Sequence, residues 1–371
     1  MNRQKKVAIW VYDISVLGGL ERVTWTLYKK LQGEYFPDIK LITTSNKYDF
    51  KLDGNCIVLE AKKKCHLSKQ VKKILIEYSI STLIIEVSDL KTANLVATAA
   101  KSIDVKVIST LHNTPYMYLN NFATAEYCFY NPKFILKKVY KKSIGKIINY
   151  YRLLSICKGT QVVTVGDFCR RELLQCFSKY NIRAQTIYNL IDLKYGPEKV
   201  GKTKKVLFIG RFSMQKNLPF LLNIWKEANV LLPDYTLQLV GDGEDRSFIK
   251  RIIQRKKIQN IQMLPKSDNV IEFYRNADVC ILTSFYEGLP TVFLEAISQN
   301  CPIFSTKGHG GNGELMTITG NGCYVDFADC KQVAIRLKEY LDSIVFPYKS
   351  NKLPEQFSEG YILSRWKNLV D

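Results

Sequence analysis

The chain has 371 residues, of which 46% are hydrophobic and 24% charged, and its formal net charge is +20. This composition is typical of a globular protein, and the length suggests two domains of ordinary size. The apolar run at the N-terminus is too short for a signal peptide, and no stretch approaches the roughly 20 apolar residues that a membrane span requires. We therefore expect a cytoplasmic protein that is soluble or peripheral to a membrane.

The positive charge is concentrated in the first half of the chain. Residues 1–200 hold 32 Lys and Arg against 16 Asp and Glu, whereas residues 201–371 hold 22 against 18. This imbalance indicates an anionic partner for the first half. Nucleic acid, an anionic membrane surface and a phosphorylated substrate are all compatible with it.

The cysteine and histidine pattern argues against a zinc site and a disulfide framework. The chain has ten cysteines and three histidines, with no C-x-x-C pair and no spacing typical of zinc ligands. Several cysteines lie in apolar surroundings, as Cys280 does. We therefore expect free thiols in a reducing compartment.

Short apolar strands alternate with helical stretches along the whole chain. In the first half, the pattern predicts strands at 7–12, 39–43, 83–87, 105–110 and 161–165, and helices at 20–31 and 92–100. Gly, Pro and charged residues interrupt it over 195–203, which is typical of a linker. The second half then predicts strands at 205–209, 236–240, 261–264, 278–282 and 302–305, and helices at 218–232, 245–257, 270–276 and 291–299.

Such alternation predicts an α/β protein with parallel sheets and helices on both faces. We predict a first doubly wound domain over 1–197, a second over 198–350, and a helix within 351–371 that returns to the first domain. Ligands bind beyond the carboxyl ends of the strands in such sheets, so the cleft between the domains is the expected active site.

The most informative motif is the segment 284–296, which reads SFYEGLPTVFLEA. It follows an apolar strand and begins a helix, with Gly288 and Pro290 in the turn. The free N–H groups of a helix N-terminus form a ready site for phosphate. Glu287 precedes the helix and Glu295 lies inside it, where a carboxylate can accept hydrogen bonds from sugar hydroxyls. A helix cap at Glu287 and a solvated Glu295 are the simpler alternatives.

A second motif, FIGRFSMQKN at 208–217, follows the first strand of the second domain. Gly210 allows a close approach of the backbone to a ligand. Arg211 and Lys216 are able to hold a diphosphate, the first through its planar fork and the second as a point charge. The alternative is a pair of ordinary surface bases in a basic protein.

Together and in this order, the two motifs resemble glycosyltransferase family 4, the retaining glycosyltransferases of GT-B fold. The family carries Gly-Arg-x4-Lys-(Gly or Asn) and then Glu-x7-Glu, which correspond here to 210–217 and 287–295. The resemblance extends to LVGDGE at 239–244, YRNADV at 274–279 and GGLERV at 18–23. It implies two doubly wound Rossmann-like domains that face a central cleft.

The sequence departs from the family pattern at three places. The family's Asn-Gly-Ile-Asp is Asn-Leu-Ile-Asp at 189–192, and its Val-Ser turn is Val-Gly-Asp at 165–167. The segment 308–314, GHGGNGE, is richer in glycine than usual. We expect this segment to pack flexibly near the donor, with a mobile lid as the alternative.

The resemblance implies roles for individual residues. Arg211 and Lys216 would bind the donor diphosphate and Glu295 the ribose hydroxyls, while Glu287 would contact the donor sugar. His112 would lie beside that sugar, with a packed loop histidine as the alternative. The implied catalytic residues are Glu287, His112, Arg211 and Lys216. The implied donor-binding residues are Gly19, Gly210, Arg211, Lys216, Gly288, Leu289, Pro290, Thr291 and Glu295.

The family likeness implies a retaining hexosyltransferase that uses a nucleotide-diphosphate sugar, with a UDP-sugar favoured. Positive charge and N–H dipoles would stabilise the leaving diphosphate, and in the family's mechanism that phosphate deprotonates the incoming hydroxyl. No Asp-x-Asp follows a strand, so we expect no metal or other cofactor. The acceptor would be a glycan, lipid-linked as in many bacterial members, and the product a surface polysaccharide such as capsule, O-antigen or other lipopolysaccharide.

Residues 132–158 combine many basic side chains with apolar residues at helical spacing. This pattern is typical of an amphipathic helix on an anionic bilayer, here the inner face of the cell membrane. A core helix with a solvated lysine face is the alternative. The basic residues are Lys133, Lys137, Lys138, Lys141, Lys142, Lys146, Arg152 and Lys158, and the apolar ones are Val139, Ile144, Ile147, Tyr151 and Leu154.

Three other functions are less well supported. A GT-B-like nucleotide-sugar epimerase would lack the Arg–Lys and Glu-x7-Glu pairing. A non-enzymatic nucleic-acid-binding protein would need aromatic residues among its lysine clusters. An NAD enzyme would carry Gly-x-Gly-x-x-Gly after the first strand. We therefore expect a sugar donor, an acceptor and a membrane surface as partners, and no nucleic acid.

Overall fold

The structure, a computed structural model, describes residues 5–14, 18–44, 54–59, 64–120, 144–267, 269–326 and 329–371. The chain forms two compact units. The first comprises Met1–Ile191 and Glu355–Asp371, and the second Asp192–Pro354. The domain bounds predicted from the sequence are 1–197, 198–350 and 351–371.

The first unit is built on a seven-stranded parallel sheet of order β3-β2-β1-β4-β5-β6-β7. Its strands are β1 (Val7–Val11), β2 (Lys40–Thr43), β3 (Cys56–Val58), β4 (Thr82–Val87), β5 (Lys106–Leu111), β6 (Gln161–Thr164) and β7 (Arg183–Thr186). The helices in the described residues of Met1–Ile191 are α1 (Gly19–Glu34), α2 (Lys64–Glu77), α3 (Leu90–Lys101), α4 (Pro115–Asn120), α5 (Ile144–Cys157) and α6 (Asp167–Cys176). Because helices cover both faces of such a sheet, β1 and β4 are buried along their whole length.

The second unit has a six-stranded parallel sheet of order β10-β9-β8-β11-β13-β15 and a two-stranded pair, β12-β14. Its strands are β8 (Lys205–Ile209), β9 (Thr236–Val240), β10 (Ile261–Leu264), β11 (Val279–Leu282), β12 (Tyr286–Glu287), β13 (Ile303–Thr306), β14 (His309–Gly310) and β15 (Cys323–Val325). Its helices are α7 (Leu218–Leu231), α8 (Arg246–Arg255), α9 (Val270–Arg275), α10 (Thr291–Ser298), α11 (Gly311–Thr319) and α12 (Cys330–Ser343).

The last helix, α13 (Glu359–Val370), belongs to the core of the first unit. Leu363, Trp366 and Val370 are buried there, in the same cluster as strand β1. The Lys106 ammonium donates to the carbonyl oxygens of Leu369 over 2.8 Å and Val370 over 3.2 Å. A cation at this end satisfies carbonyls that lack intrahelical partners and complements the helix dipole.

The predicted linker at 195–203 is held by the second unit. Asn300 donates its side-chain N–H groups to the carbonyls of Gly196 over 3.0 Å and Pro197 over 2.8 Å. The buried carboxylate of Asp278 accepts from the backbone N–H of Thr203 over 2.7 Å and of Lys204 over 2.8 Å. The change of unit therefore comes before this segment, at 191–192.

Candidate active site

The two motifs of the second unit lie side by side. Segment 208–217 follows β8, and segment 284–296 follows β11, which pairs directly with β8. The backbone N–H of Phe285 donates to the carbonyl of Gln215 over 2.9 Å. The buried Thr283 hydroxyl donates to the carbonyls of Lys216 and Asn217 over 3.1 and 3.2 Å. Both motifs therefore meet at the carboxyl ends of adjacent strands, where ligands bind in sheets of this kind.

An ion pair joins the motifs at their centre. The Lys216 Nζ lies 2.6 Å from the Glu287 Oε1, and the two side chains are 16% and 7% exposed. The Gln215 amide donates to the other carboxylate oxygen of Glu287 over 3.3 Å. Because both charges are mostly withdrawn from water, each depends on the other. Burial and the charge of Glu287 together raise the pKa of the neighbouring Tyr286 to about 12.

Close backbone packing shapes the turn around Gly210. A Cβ on Gly241 would overlap the Gly210 carbonyl oxygen, and a Cβ on Gly243 would overlap the Phe212 backbone. Both glycines also have positive φ, of 145° and 156°. The segment 239–244 therefore supports the turn that presents Arg211. This arginine is exposed, and among the described residues its guanidinium makes no hydrogen bond or ion pair.

Glu295 is oriented by a buried tyrosine. The Tyr274 hydroxyl donates to Glu295 Oε2 over 2.8 Å. Burial, followed by the charge of Glu295, raises the pKa of Tyr274 well above its ordinary value. The phenol therefore stays protonated and remains a donor. From the sequence, Tyr274 is only a member of the motif at 274–279, and its contact with Glu295 was not predicted.

Within the glycine-rich segment 308–314, His309–Gly310 form strand β14 and Gly311 begins α11, while flexible packing near the donor stays a prediction. Strand β14 pairs with β12, so that Glu287 lies opposite Gly310. A Cβ on Gly308 would overlap the Ser284 carbonyl oxygen, and one on Gly311 the Gly288 carbonyl oxygen. The glycines thus serve close backbone approach, and they hold the turn that precedes α10.

The structure brings together the predicted site residues of the second unit within these two motifs. Pro290 is the N-cap of α10, and Thr291 is its first residue. Pro290 makes no side-chain cap hydrogen bond, so it does not satisfy the N–H groups of the first turn. The predicted residues in this unit are Gly210, Arg211, Lys216, Glu287, Gly288, Leu289, Pro290, Thr291 and Glu295.

Gly19 and His112 belong to the first unit. Gly19 is the exposed first residue of α1. His112 directly follows β5, and its Nε2 hydrogen-bonds the carboxylate of Glu86 on β4. Residues 15–17 of the N-terminal loop lie outside the described residues. Within the described part of the chain, no three His, Cys, Asp or Glu residues are grouped to hold a metal ion.

Comparison with known families agrees with this geometry. Residues 193–359, which include both motifs, match the family model described as glycosyl transferases group 1. The match covers less than half of the chain and describes this segment alone. The prediction that this chain resembles glycosyltransferases is thereby confirmed, while assignment to family 4 stays a prediction.

Several curated glycosyltransferases are similar to the chain. The amylovoran biosynthesis glycosyltransferase AmsD of Erwinia amylovora is 30% identical over 171 residues, which are 46% of this chain and 44% of AmsD. An uncharacterized glycosyltransferase of Haemophilus influenzae is 22% identical over 99% of this chain and 100% of its own length. A GalNAc-alpha-(1->4)-GalNAc-alpha-(1->3)-diNAcBac-PP-undecaprenol alpha-1,4-N-acetyl-D-galactosaminyltransferase of Campylobacter jejuni is 28% identical over 46% of this chain and 48% of its own. For AmsD and the Campylobacter relative, the matched region thus spans less than half of the relative's length.

Solved glycosyltransferase structures confirm the predicted fold class. One of these is a point mutant of S. aureus TarM, solved with Fondaparinux, alpha-GlcNAc-glycerol and UDP. It has a TM-score of 0.72 and 12% sequence identity, and the alignment covers 99% of this chain and 100% of the TarM chain. The lipopolysaccharide outer core galactosyltransferase WaaB has a TM-score of 0.67 at 15% identity, covering 98% and 99%. The fold is therefore GT-B, built from two doubly wound α/β units.

Proposed function

We propose that this protein is a retaining glycosyltransferase of family 4 that transfers a hexose from a UDP-sugar to a glycan acceptor. One observation carries the proposal: the Gly-Arg-x4-Lys and Glu-x7-Glu motifs meet at one sheet edge, through the 2.6 Å ion pair of Lys216 and Glu287. The N-terminus of α10 begins at the same edge. A cluster of cations, N–H dipoles and carboxylates in this order suits a sugar diphosphate.

The donor diphosphate occupies the positive part of this cluster. Arg211 and Lys216 neutralise its oxygens, and the free N–H groups of α10 donate to it. The C1–O bond of the donor sugar breaks, and its electron pair passes to the diphosphate. These preorganised charges stabilise the leaving group more than the ground state, which is the source of catalysis.

The carboxylates and His112 contact the sugars of the donor. Glu295, oriented by Tyr274, accepts from the ribose hydroxyls. Glu287 contacts the transferred hexose, and the family resemblance gives His112 a contact with the same sugar. The acceptor oxygen attacks C1 on the face that the diphosphate leaves, and its proton passes to a diphosphate oxygen. This transfer therefore accounts for every bond, electron pair and proton, and it needs no separate general base, metal or other cofactor.

The finer identity of donor and acceptor rests on the relatives. TarM was solved with UDP, and this supports a uridine donor. The name of the Campylobacter relative describes an undecaprenol-linked glycan as its acceptor, and this supports a lipid-linked acceptor. We extend the proposal to synthesis of a bacterial surface polysaccharide.

Calorimetric titration with UDP, GDP and ADP in EDTA tests the donor site. We expect UDP to bind and Glu295→Ala to weaken its affinity about 10- to 100-fold, because hydrogen bonds to a charged group contribute about 1.5–3 kcal/mol. Glu272→Ala removes an exposed glutamate of the same unit and should leave the affinity unchanged. Absence of binding by any diphosphate, or equal affinity of Glu295→Ala and wild type, would contradict the proposal.

We also propose peripheral binding of the first unit to an anionic membrane at the inner face of the cell. Helix α5 exposes three apolar side chains at helical spacing: Ile144 is 51% exposed, Ile147 58% and Tyr151 62%. Lys146 is exposed beside them. Such a surface combines apolar insertion with attraction to anionic headgroups.

Other residues of the predicted amphipathic surface have different outcomes. Leu154, predicted as one of its apolar members, lies in the core of the first unit, where α5 packs against α3 and α4. Val139, Lys133, Lys137, Lys138, Lys141 and Lys142 lie outside the described residues. No helix in the described segments is both long and apolar enough to cross a bilayer.

Flotation with phosphatidylcholine–phosphatidylglycerol vesicles tests this surface. We expect wild type to float at low salt and less at high salt, since screening weakens attraction to the headgroups. Ile147→Ser combined with Tyr151→Ser should reduce partitioning about 10- to 100-fold through lost apolar burial. Val230→Ser changes a residue of the second unit that is 79% exposed and is the matched control. If the wild-type protein does not bind the vesicles at low salt, the membrane proposal is wrong.

A further inference from the structure

Glu86 is an ionisable residue in the interior of an apolar strand. It lies one position before the end of β4, and its register partner on β5 is Thr110. The neighbouring residues of β4 are buried hydrophobics. Its side chain is only 1% exposed. Glutamate is almost never buried in this way unless a partner satisfies its charge.

His112 is that partner. Its Nε2 hydrogen-bonds the Glu86 carboxylate, and the imidazole side chain is 7% exposed. Across the part of the chain that the structure describes, Glu86 makes no other side-chain hydrogen bond or ion pair. When a carboxylate is ionised it only accepts hydrogen bonds, and an imidazole N–H is then the donor of such a bond.

The surroundings of the pair are apolar apart from a few polar atoms. A small cavity beside it is lined by Val23, Leu27, Val165 and Ile187, among others. The buried Thr110 hydroxyl also lines this cavity and has no hydrogen-bond partner. With so few competing donors, the carboxylate depends on the imidazole for its stabilisation.

We propose that Glu86 is a positioning residue for His112. By accepting from Nε2–H, the carboxylate holds the neutral imidazole in one tautomer and fixes the plane of the ring. Nδ1 then remains as the acceptor that faces a ligand hydroxyl. The inference rests on the proposed function, in which His112 lies beside the donor sugar. The sequence signal is the lone Glu in TLIIEV at 82–87, which the sequence analysis missed.

Nitrogen NMR of the imidazoles tests the tautomer without any assay of activity. The protein has only three histidines, so His112→Gln identifies the signal of His112. We expect neutral wild-type His112 to carry its proton on Nε2, and Glu86→Gln to introduce the Nδ1–H tautomer, because an amide both donates and accepts. The signals of His66 and His309 should stay unchanged. A wild-type Nδ1–H tautomer, or an unaltered His112 signal in Glu86→Gln, would overturn the inference.

Kinetics separate positioning from a purely structural role. The probe is UDP release from UDP-glucose, UDP-galactose or UDP-N-acetylglucosamine, whichever wild type turns over fastest. We expect Glu86→Gln to lower kcat about 10- to 100-fold with KM within about threefold, as for other groups that fix a histidine tautomer. The double variant with His112→Ala should be no slower than His112→Ala alone. An unchanged kcat would overturn the positioning role.

The two proposals fail in different ways. If wild type turns over none of the three UDP-sugars, the proposed function fails, and the wild-type tautomer alone decides whether Glu86 positions His112. If transfer occurs and Glu86→Gln retains kcat, the positioning inference fails while the function stands. The wild-type tautomer can be read if His112→Gln, which identifies the signal, folds.

Discussion

Lys216→Met is expected to lower kcat/KM for UDP release from a UDP-sugar by about two to three orders of magnitude, the effect of removing one preorganised donor to a developing anion. The ammonium lies in the Gly-Arg-x4-Lys motif, 2.6 Å from Glu287 Oε1. Methionine preserves most of the side-chain volume and removes the charge. Steady-state kinetics of UDP release measure the effect.

The same change has a structural consequence that a second variant separates. Lys216→Met leaves the nearly buried Glu287 carboxylate without its cation, and breaking such a pair costs about 3–5 kcal/mol of folding stability. Combining it with Glu287→Gln removes the orphaned charge. We expect the double variant to recover most of the stability and none of the activity.

A matched lysine provides the control for Lys216→Met. Lys204 pairs with Asp234 over 2.9 Å, and both side chains are well exposed. Exposed pairs contribute about 0–1 kcal/mol, so Lys204→Met should preserve both stability and UDP release. If Lys216→Met retained wild-type kcat/KM while folding normally, Lys216 would have no part in stabilising the diphosphate.

Trp366→Ala is expected to lower the free energy of unfolding of the first unit by about 3–5 kcal/mol, as truncation of a buried aromatic does. Trp366 lies on α13 and is buried with the β1 residues Val7, Ile9 and Val11. Its loss leaves a cavity between the last helix and the sheet. Calorimetric unfolding of the full chain should show a lower transition temperature for the first unit.

Tyr361→Ala is the control for this prediction because Tyr361 lies on the same helix and is 41% exposed. Surface substitutions of this kind usually change stability by less than about 0.5 kcal/mol. Equal destabilisation by the two variants would show that the general stability of α13, rather than burial of Trp366, matters. An unaltered transition in Trp366→Ala would mean that α13 does not stabilise the first unit.

The sheet of the second unit shows which strands the apolar pattern of the sequence predicts. The predicted strands 205–209, 236–240 and 261–264 coincide with β8, β9 and β10. The interior strands β8 and β9 are buried and are nearly continuous apolar runs, whereas β10 is a partly buried edge strand. The strands β3, β7 and β15 were not predicted. They lie at the edges of their sheets, are only three or four residues long and are only partly buried, so they give a short pattern.

The candidate site residues were predicted from local motifs, because phosphate-binding turns, glycine positions and the Glu-x7-Glu spacing each lie within a short stretch of the sequence. The sequence therefore identified Arg211, Lys216, Glu287 and Glu295 as candidates, along with the α/β class that brings strand ends to one edge. Contacts between distant segments have no such signature. Only the tertiary structure pairs Lys216 with Glu287, Tyr274 with Glu295 and His112 with Glu86. These partners are set by the packing of neighbouring strands and helices, and burial, which makes each pair necessary, exists only in the folded chain.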